Sequence, residues 1–162
     1  LLNGEGKKMN KLTGFILSSV LVFAAAACSQ VSKTSANAPD STNANVQAPD
    51  AETAQKNQAD ATSDVRRSQA NADIRAREQR NNIGGNPLAR ADSDLASEVR
   101  SKLEVNLPAS SLAVKSENGI VTISGTVPNQ KQLARIESLA KEIKGVKGVS
   151  VKATVAPAKP KQ

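Results

Sequence analysis

Histidine, tryptophan and tyrosine are absent from this chain, and both phenylalanines and the single cysteine lie at or before position 28. Beyond Cys28 there is no aromatic ring, no imidazole and no second thiol. Each absence excludes a class of function. Without histidine the commonest general base and the commonest zinc ligand are missing. A lone cysteine leaves no intrachain disulfide to form. Without aromatics there is no platform on which unpaired bases stack, which argues against nucleic acid as a partner. No Gly-x-Ser-x-Gly or Gly-x-x-x-x-Gly-Lys motif supplies a nucleophile elbow or a phosphate loop. The chain reads as a non-enzyme that needs no cofactor and no metal.

What is present begins with a leader. Met9-Asn10-Lys11 gives a basic start, and an apolar segment runs on to Ala25-Ala26-Ala27. That is signal-peptide anatomy, so residues 1–27 are set aside from the fold, with translation starting at Met9 or, through an alternative start codon, at Leu1. The segment Leu12 to Ala27 contains Thr13, Gly14, Ser18 and Ser19. It falls short of the roughly 20 apolar residues that a membrane span needs. Ala25-Ala26-Ala27-Cys28 resembles the bacterial lipobox, with Ala25 where leucine is commoner. The resemblance implies a diacylglycerol on Cys28, cleavage just before it, and a lipid anchor in the inner or outer membrane of a bacterial envelope. The mature protein would then face the periplasm. The alternative is an ordinary secretory cut after Ala-x-Ala that leaves Cys28 a free thiol, a liability in an oxidising compartment.

Residues 28–59 are dominated by Ser, Thr, Asn, Ala, Gln, Asp and Pro. Such a stretch buries too little apolar surface to offset its ordering entropy, so it reads as a disordered tether. Residues 60–90 are richer in Ala, Gln, Glu and Arg, which favour helix, but Val65 and Ile74 make no continuous stripe. This segment reads as a basic, partly helical linker ended by Ile83-Gly84-Gly85-Asn86-Pro87. Residues 156–162 read as a disordered basic tail.

The folded unit spans residues 91–155. Asp92 or Ser93 is placed to cap a helix whose Leu95, Val99 and Leu103 share one face. Leu107-Pro108 stops it, and Leu112 and Val114 open a strand. Asn118-Gly119 is a strong hairpin signal. Val121, Ile123 and Val127 then mark one face of the return strand, with Gly125 between them. After Pro128, Asn129 and Gln132 form a capping pair for a second helix through Leu133, Ile136, Leu139 and Ile143, which Gly145 ends. Val149, Val151, Ala153 and Val155 alternate with polar residues as a last strand. The fold class is α+β, in the order α-β-β-α-β, with two helices on a three-stranded sheet.

The run from Gly119 to Val127, Gly-Ile-Val-Thr-Ile-Ser-Gly-Thr-Val, followed by a helix and then Gly145-Val146-Lys147-Gly148-Val149, resembles the BON domain. The pattern of that family is G-x-V-x-L-x-G-x-V, a helix, and G-V-x-x-V before the last strand. Ile123 replaces the usual leucine, and Gly148 is an added glycine. The family is named for a bacterial osmotically induced periplasmic protein and nodulation-related proteins. The resemblance implies an envelope role in stress resistance and membrane integrity, with phospholipid as the ligand. Lipid-anchored relatives carry two BON domains, whereas this chain shows one. Gly119, Gly125 and Gly145 are expected to be structural.

Two partners follow. The first is anionic phospholipid, met by Lys141, Lys144, Lys147 and Lys152 of the domain and by Arg66, Arg67, Arg75 and Arg77 of the linker, each contributing about 1 kcal/mol near an anionic surface. The domain holds 9 basic and 7 acidic residues between Ala91 and Val155, so clustering rather than net charge has to make a patch. The second is an envelope protein, docked through the sheet edge or the arginine-rich linker.

Overall fold

The computed structural model describes residues 31–86 and 89–159. The leader, Cys28 and its anticipated lipid, and the last three residues lie outside the described residues. Two helices, α1 (Ala51–Thr62) and α2 (Asp64–Gly84), precede the central helix α3 (Asp92–Asn106). Strands β2 (Ser111–Glu117) and β3 (Ile120–Val127) form an antiparallel hairpin, with Val114 opposite Ile123. Short helices α4 (Gln130–Leu133) and α5 (Ile136–Lys141) return the chain to β4 (Gly148–Val151) and β5 (Thr154–Val155). Both of these pair parallel to β3. A two-residue strand β1 (Ser32–Lys33) pairs antiparallel with β2. The α-β-β-α-β order holds, but the sheet has five strands rather than three.

One aliphatic core joins these elements. Leu95, Val99, Leu103 and Leu107 from α3 and its end meet Leu112, Val114, Val121, Ile123 and Val127 from the hairpin. Ile136, Leu139, Ala140 and Ile143 close it from the second helical layer. The period-2 and period-4 spacings of these residues place them on single faces, so burial follows directly from the pattern.

Local expectations met mixed outcomes. Asn118 and Gly119 both take positive φ, as a two-residue hairpin turn of this type requires. Asn129 caps α4 by accepting from Gln132 N at 2.9 Å, but the Gln132 side chain does not return the bond. Its Nε2 donates instead to Pro108 O at 3.0 Å. The expected second helix breaks at Ala134-Arg135, where Arg135 N bonds to Gln132 O. Helix α3 is capped at Ala91 with no side-chain bond, so neither Asp92 nor Ser93 serves there.

The disordered tether expected over 28–59 is corrected where it is described. Besides β1, Thr34 N bonds to Leu112 O, and Leu112 N returns to Thr34 Oγ1, each at 2.9 Å. Asp50 caps α1 through Thr53 N at 2.7 Å. These residues order by satisfying backbone groups along a sheet edge and at a helix end, which requires no large apolar side chain. The linker expected to be partly helical is helical throughout α2, capped by Ser63 Oγ on Arg66 N. Part of the tail is also placed: Ala156 N bonds to Val127 O and Lys159 N to Pro49 O.

Residues 34–47 cross the sheet. They start at the β2 edge, and Asn43 Oδ1 accepts from Lys152 Nζ at 3.0 Å, beyond β4 on the opposite side. Helices α3 and α5 occupy the face that carries Leu112 and Val121, so this loop covers the other one. Ala113, Ser124 and Thr126, which point to that other face by strand alternation, are accordingly buried, as are Ala38 and Thr42 of the loop.

Candidate functional site

Helix α3 is buried on two sides for different reasons. One side carries the leucine and valine stripe of the core. The other carries Glu98, Ser101 and Glu104, all at or below 2% exposure, with Asp94 on the same side. Carboxylates are seldom this deeply covered unless paired. Glu104 is paired twice, with Arg66 from α2 and with Arg100 at 2.8 Å one turn back. Glu98 meets Arg90, whose other guanidinium nitrogen donates to Lys144 O at 2.8 Å. Burial pushes the Glu98 carboxyl up, and Arg90 opposes that shift; Glu98 Oε1 has no hydrogen-bond partner.

Helix α2 supplies most of the partners. Arg77 bridges Asp73 on its own helix and Asp94 on α3, and Arg80 also approaches Asp94. Asp73 accepts from Ser101 Oγ at 3.0 Å and faces Arg100 at 3.7 Å. Burial works against ionisation of Asp73, but the bonds from Arg77 and Ser101 outweigh it and hold its carboxyl below the ordinary range. The apolar share of this contact is small. Ala70 is the buried apolar residue of α2, whereas Val65 is 70% and Ile83 89% exposed.

Asp92 is the third polar centre. Its carboxylate accepts from Ser116 Oγ at 2.6 Å, Asn118 N at 2.7 Å and Gly119 N at 2.9 Å. The Ser116 bond and then the Gly119 amide lower its pKa, with Lys147 adding attraction. Asp92 thus clamps the tip of the β2–β3 hairpin to the start of α3. Gly125 lies further along β3 with φ +128°, and a Cβ there would fall on Ser111 O. Gly119 and Gly145 also take positive φ.

The eight basic residues anticipated as a lipid surface do not form one cluster. Arg66 and Arg77 turn inward to the α3 carboxylates, while Arg67 and Arg75 stay exposed with no ion pair among the described residues. On the domain, Lys141 pairs with Glu137 at 2.5 Å, and Lys152 reaches Asn43. Lys144 and Lys147 are exposed beside the end of α5, where Lys147 N bonds to Gly119 O at 2.8 Å. Lys144 and Lys147 are therefore the freer pair on the domain.

Ser138-Leu139-Ala140-Lys141 has the spacing of a serine nucleophile with a lysine base, but Ser138 Oγ donates to Arg135 O and Lys141 is held by Glu137. Among the described residues no group of three or more His, Cys, Asp or Glu could hold a metal ion. Also among them, no helix is long and apolar enough to cross a membrane. A concavity of about 810 Å³ lies between the end of α2 and the start of α3, lined by Arg77, Arg80, Ile83 and Arg90 among others.

Sequence reasoning missed Asp92, the Arg90–Glu98 pair and the inward role of Arg66 and Arg77. A signal for the last was available. Asp94, Glu98 and Ser101 repeat at helical spacing opposite the core stripe, as do Asp73, Arg77 and Arg80 on α2.

Comparison with known proteins places the domain. Residues 91–157 match the family model described as the BON domain. The α+β unit α3-β2-β3-α4/α5-β4 is the part of the chain that this model matches. The chain is also 40% identical over 60 residues to the osmotically-inducible protein Y of Escherichia coli (strain K12). That match covers 36% of this chain and 30% of the relative, so the chain spans under a third of the relative's length.

Proposed function

We propose that this is a non-catalytic envelope lipoprotein, anchored through Cys28, whose BON domain binds anionic phospholipid and supports membrane integrity under stress. The BON match over residues 91–157 carries this reading, together with the likeness to a relative whose name marks it as osmotically inducible. The periplasmic face of the envelope follows from the same likeness and from the leader. Lys144 and Lys147 are the residues assigned to the headgroups, because both are exposed and neither side chain has a carboxylate within ion-pair distance among the described residues. Lys141 and Lys152 stand nearby but are partly engaged, by Glu137 and Asn43. Arg67 and Arg75 extend the basic surface along α2, while Arg66 and Arg77 hold the helix in place.

The test is flotation of the full chain carrying Cys28→Ala with vesicles of phosphatidylglycerol and phosphatidylcholine at low salt. Binding to the anionic vesicles alone is expected, and Lys144→Glu with Lys147→Glu lowers it at least tenfold. Reversing a charge exchanges an attraction of about 1 kcal/mol for a comparable repulsion. Absence of flotation with anionic vesicles would remove lipid from the account. A second reading, docking to an envelope protein, is favoured by the β4 edge: Gly148–Val151 pairs on one side with β3, and Val151 and Val155 are each 37% exposed. Crosslinking that captures one stoichiometric partner through β4 would support it.

A further inference from the structure

The contact between α2 and α3 is made largely of charge. On the α3 side stand Asp94, Ser101 and Glu104; on the α2 side, Arg66, Asp73, Arg77 and Arg80. Among the aliphatics of α2, Ala70 is buried and Ile74 half-buried, while Val65 and Ile83 face water. Segments with so little apolar burial open locally at free energies far below that of the core. Separation would also leave no charge stranded, because Glu104 keeps Arg100 and Asp94 gains water.

We infer that the acidic face of α3 is a docking surface for an arginine-bearing helix, that α2 of the same chain is its occupant here, and that ionic strength sets how long it stays. The pairs that matter are partly open to solvent: the Arg66 side chain is 36% and the Asp94 side chain 39% exposed. Screening lengths shrink from about 10 Å at 0.1 M salt to about 3 Å at 1 M, so these contacts weaken across that range. The aliphatic core of α3 and the hairpin does not.

Undocking has a structural consequence. The same arm carries β1 and Thr34 on the β2 edge and the loop over the outer sheet face, with Asn57 of α1 bonded to Asn37 and Ser111. When α2 leaves, the arm is held to the sheet by a two-residue strand and a few side-chain bonds. The outer edge of β2 then becomes an unpaired strand edge, a ready template for strand addition. Ionic strength thereby exposes an interaction edge that the docked arm covers. This inference does not depend on the lipid anchor or on phospholipid binding.

Hydrogen exchange on the full chain at 0.05 M and 1 M NaCl tests it. Amides of residues 64–84 and 32–34 should exchange at least tenfold faster at high salt, while those of 112–127 stay unchanged and report an intact domain. Arg66→Glu with Arg77→Glu should release the arm already at low salt and abolish the salt effect. Adding Asp94→Arg to Arg77→Glu should recover part of the protection of residues 64–84. Equal α2 protection at both salts, an α2 unprotected at either, or loss of α2 and the sheet together would each overturn the inference.

Discussion

Replacing Asp92 should loosen the folded unit of residues 91–157 far more than its place at a helix start suggests. Its carboxylate holds Ser116 Oγ, Asn118 N and Gly119 N. Hydrogen bonds to a charged group contribute about 1.5–3 kcal/mol each when sheltered, but two of these donors sit at an exposed hairpin tip where water replaces the lost acceptor. Ser116 is the buried one, at 8% exposure. Discounting the exposed pair, Asp92→Ala should cost about 2 kcal/mol and Asp92→Asn about 1, since an amide oxygen keeps part of the set while its NH2 opposes a donor. Urea unfolding of the three proteins at pH 7 measures this. The folded-state pKa is depressed, so this contribution is present above the unfolded value of about 3.9 and is lost as pH falls through the folded one. Asp92→Ala should therefore show a shallower acid decline than wild type. Ser116→Ala should destabilise wild type yet add little in the Asp92→Ala background, as a coupled pair requires. Asp92→Ala within 0.5 kcal/mol of wild type, or full additivity with Ser116→Ala, would refute the clamp.

Further outcomes follow from the same structure. Gly125→Ala should cost about 3 kcal/mol or more in urea unfolding, because φ +128° suits only glycine and the new methyl would strike Ser111 O. Arg90→Met leaves Glu98 buried without its partner and should cost about 3 kcal/mol at pH 7. Because burial raises the Glu98 pKa, that loss should be regained as pH drops toward the unfolded value near 4.3, so this variant grows relatively more stable in acid. Leu103→Ala, fully buried in the core, should cost about 3 kcal/mol, and the loss should be the same at 0.05 and 1 M salt.

The core and the hairpin were legible because their causes are local. Leu95, Val99 and Leu103 announce a helix face by spacing alone, and Asn118-Gly119 announces a turn by backbone chemistry. Segments that order through distant polar contacts were not legible. Thr34 is fixed by Ser110 and Leu112, more than 70 residues away, and it resembles any other threonine in a Ser/Thr-rich stretch. Helix α2 lacks an apolar stripe because its partner face is acidic, so a search for hydrophobic periodicity cannot see it. Asp92 looked like a cap since acids favour helix starts, but its hydrogen-bond partners stand 24 to 27 residues onward at the hairpin. Of the basic residues, spacing revealed how many there are but not which face carboxylates; that depends on how α2 lies against α3.

Placement at the membrane through Cys28 is the central proposal, and the intact mass of the membrane-extracted protein tests it most directly. The predicted mass is that of a chain beginning at Cys28 and carrying a diacylglycerol. A chain with an unmodified Cys28, or one that retains Ala25-Ala26-Ala27 ahead of it, would contradict the account.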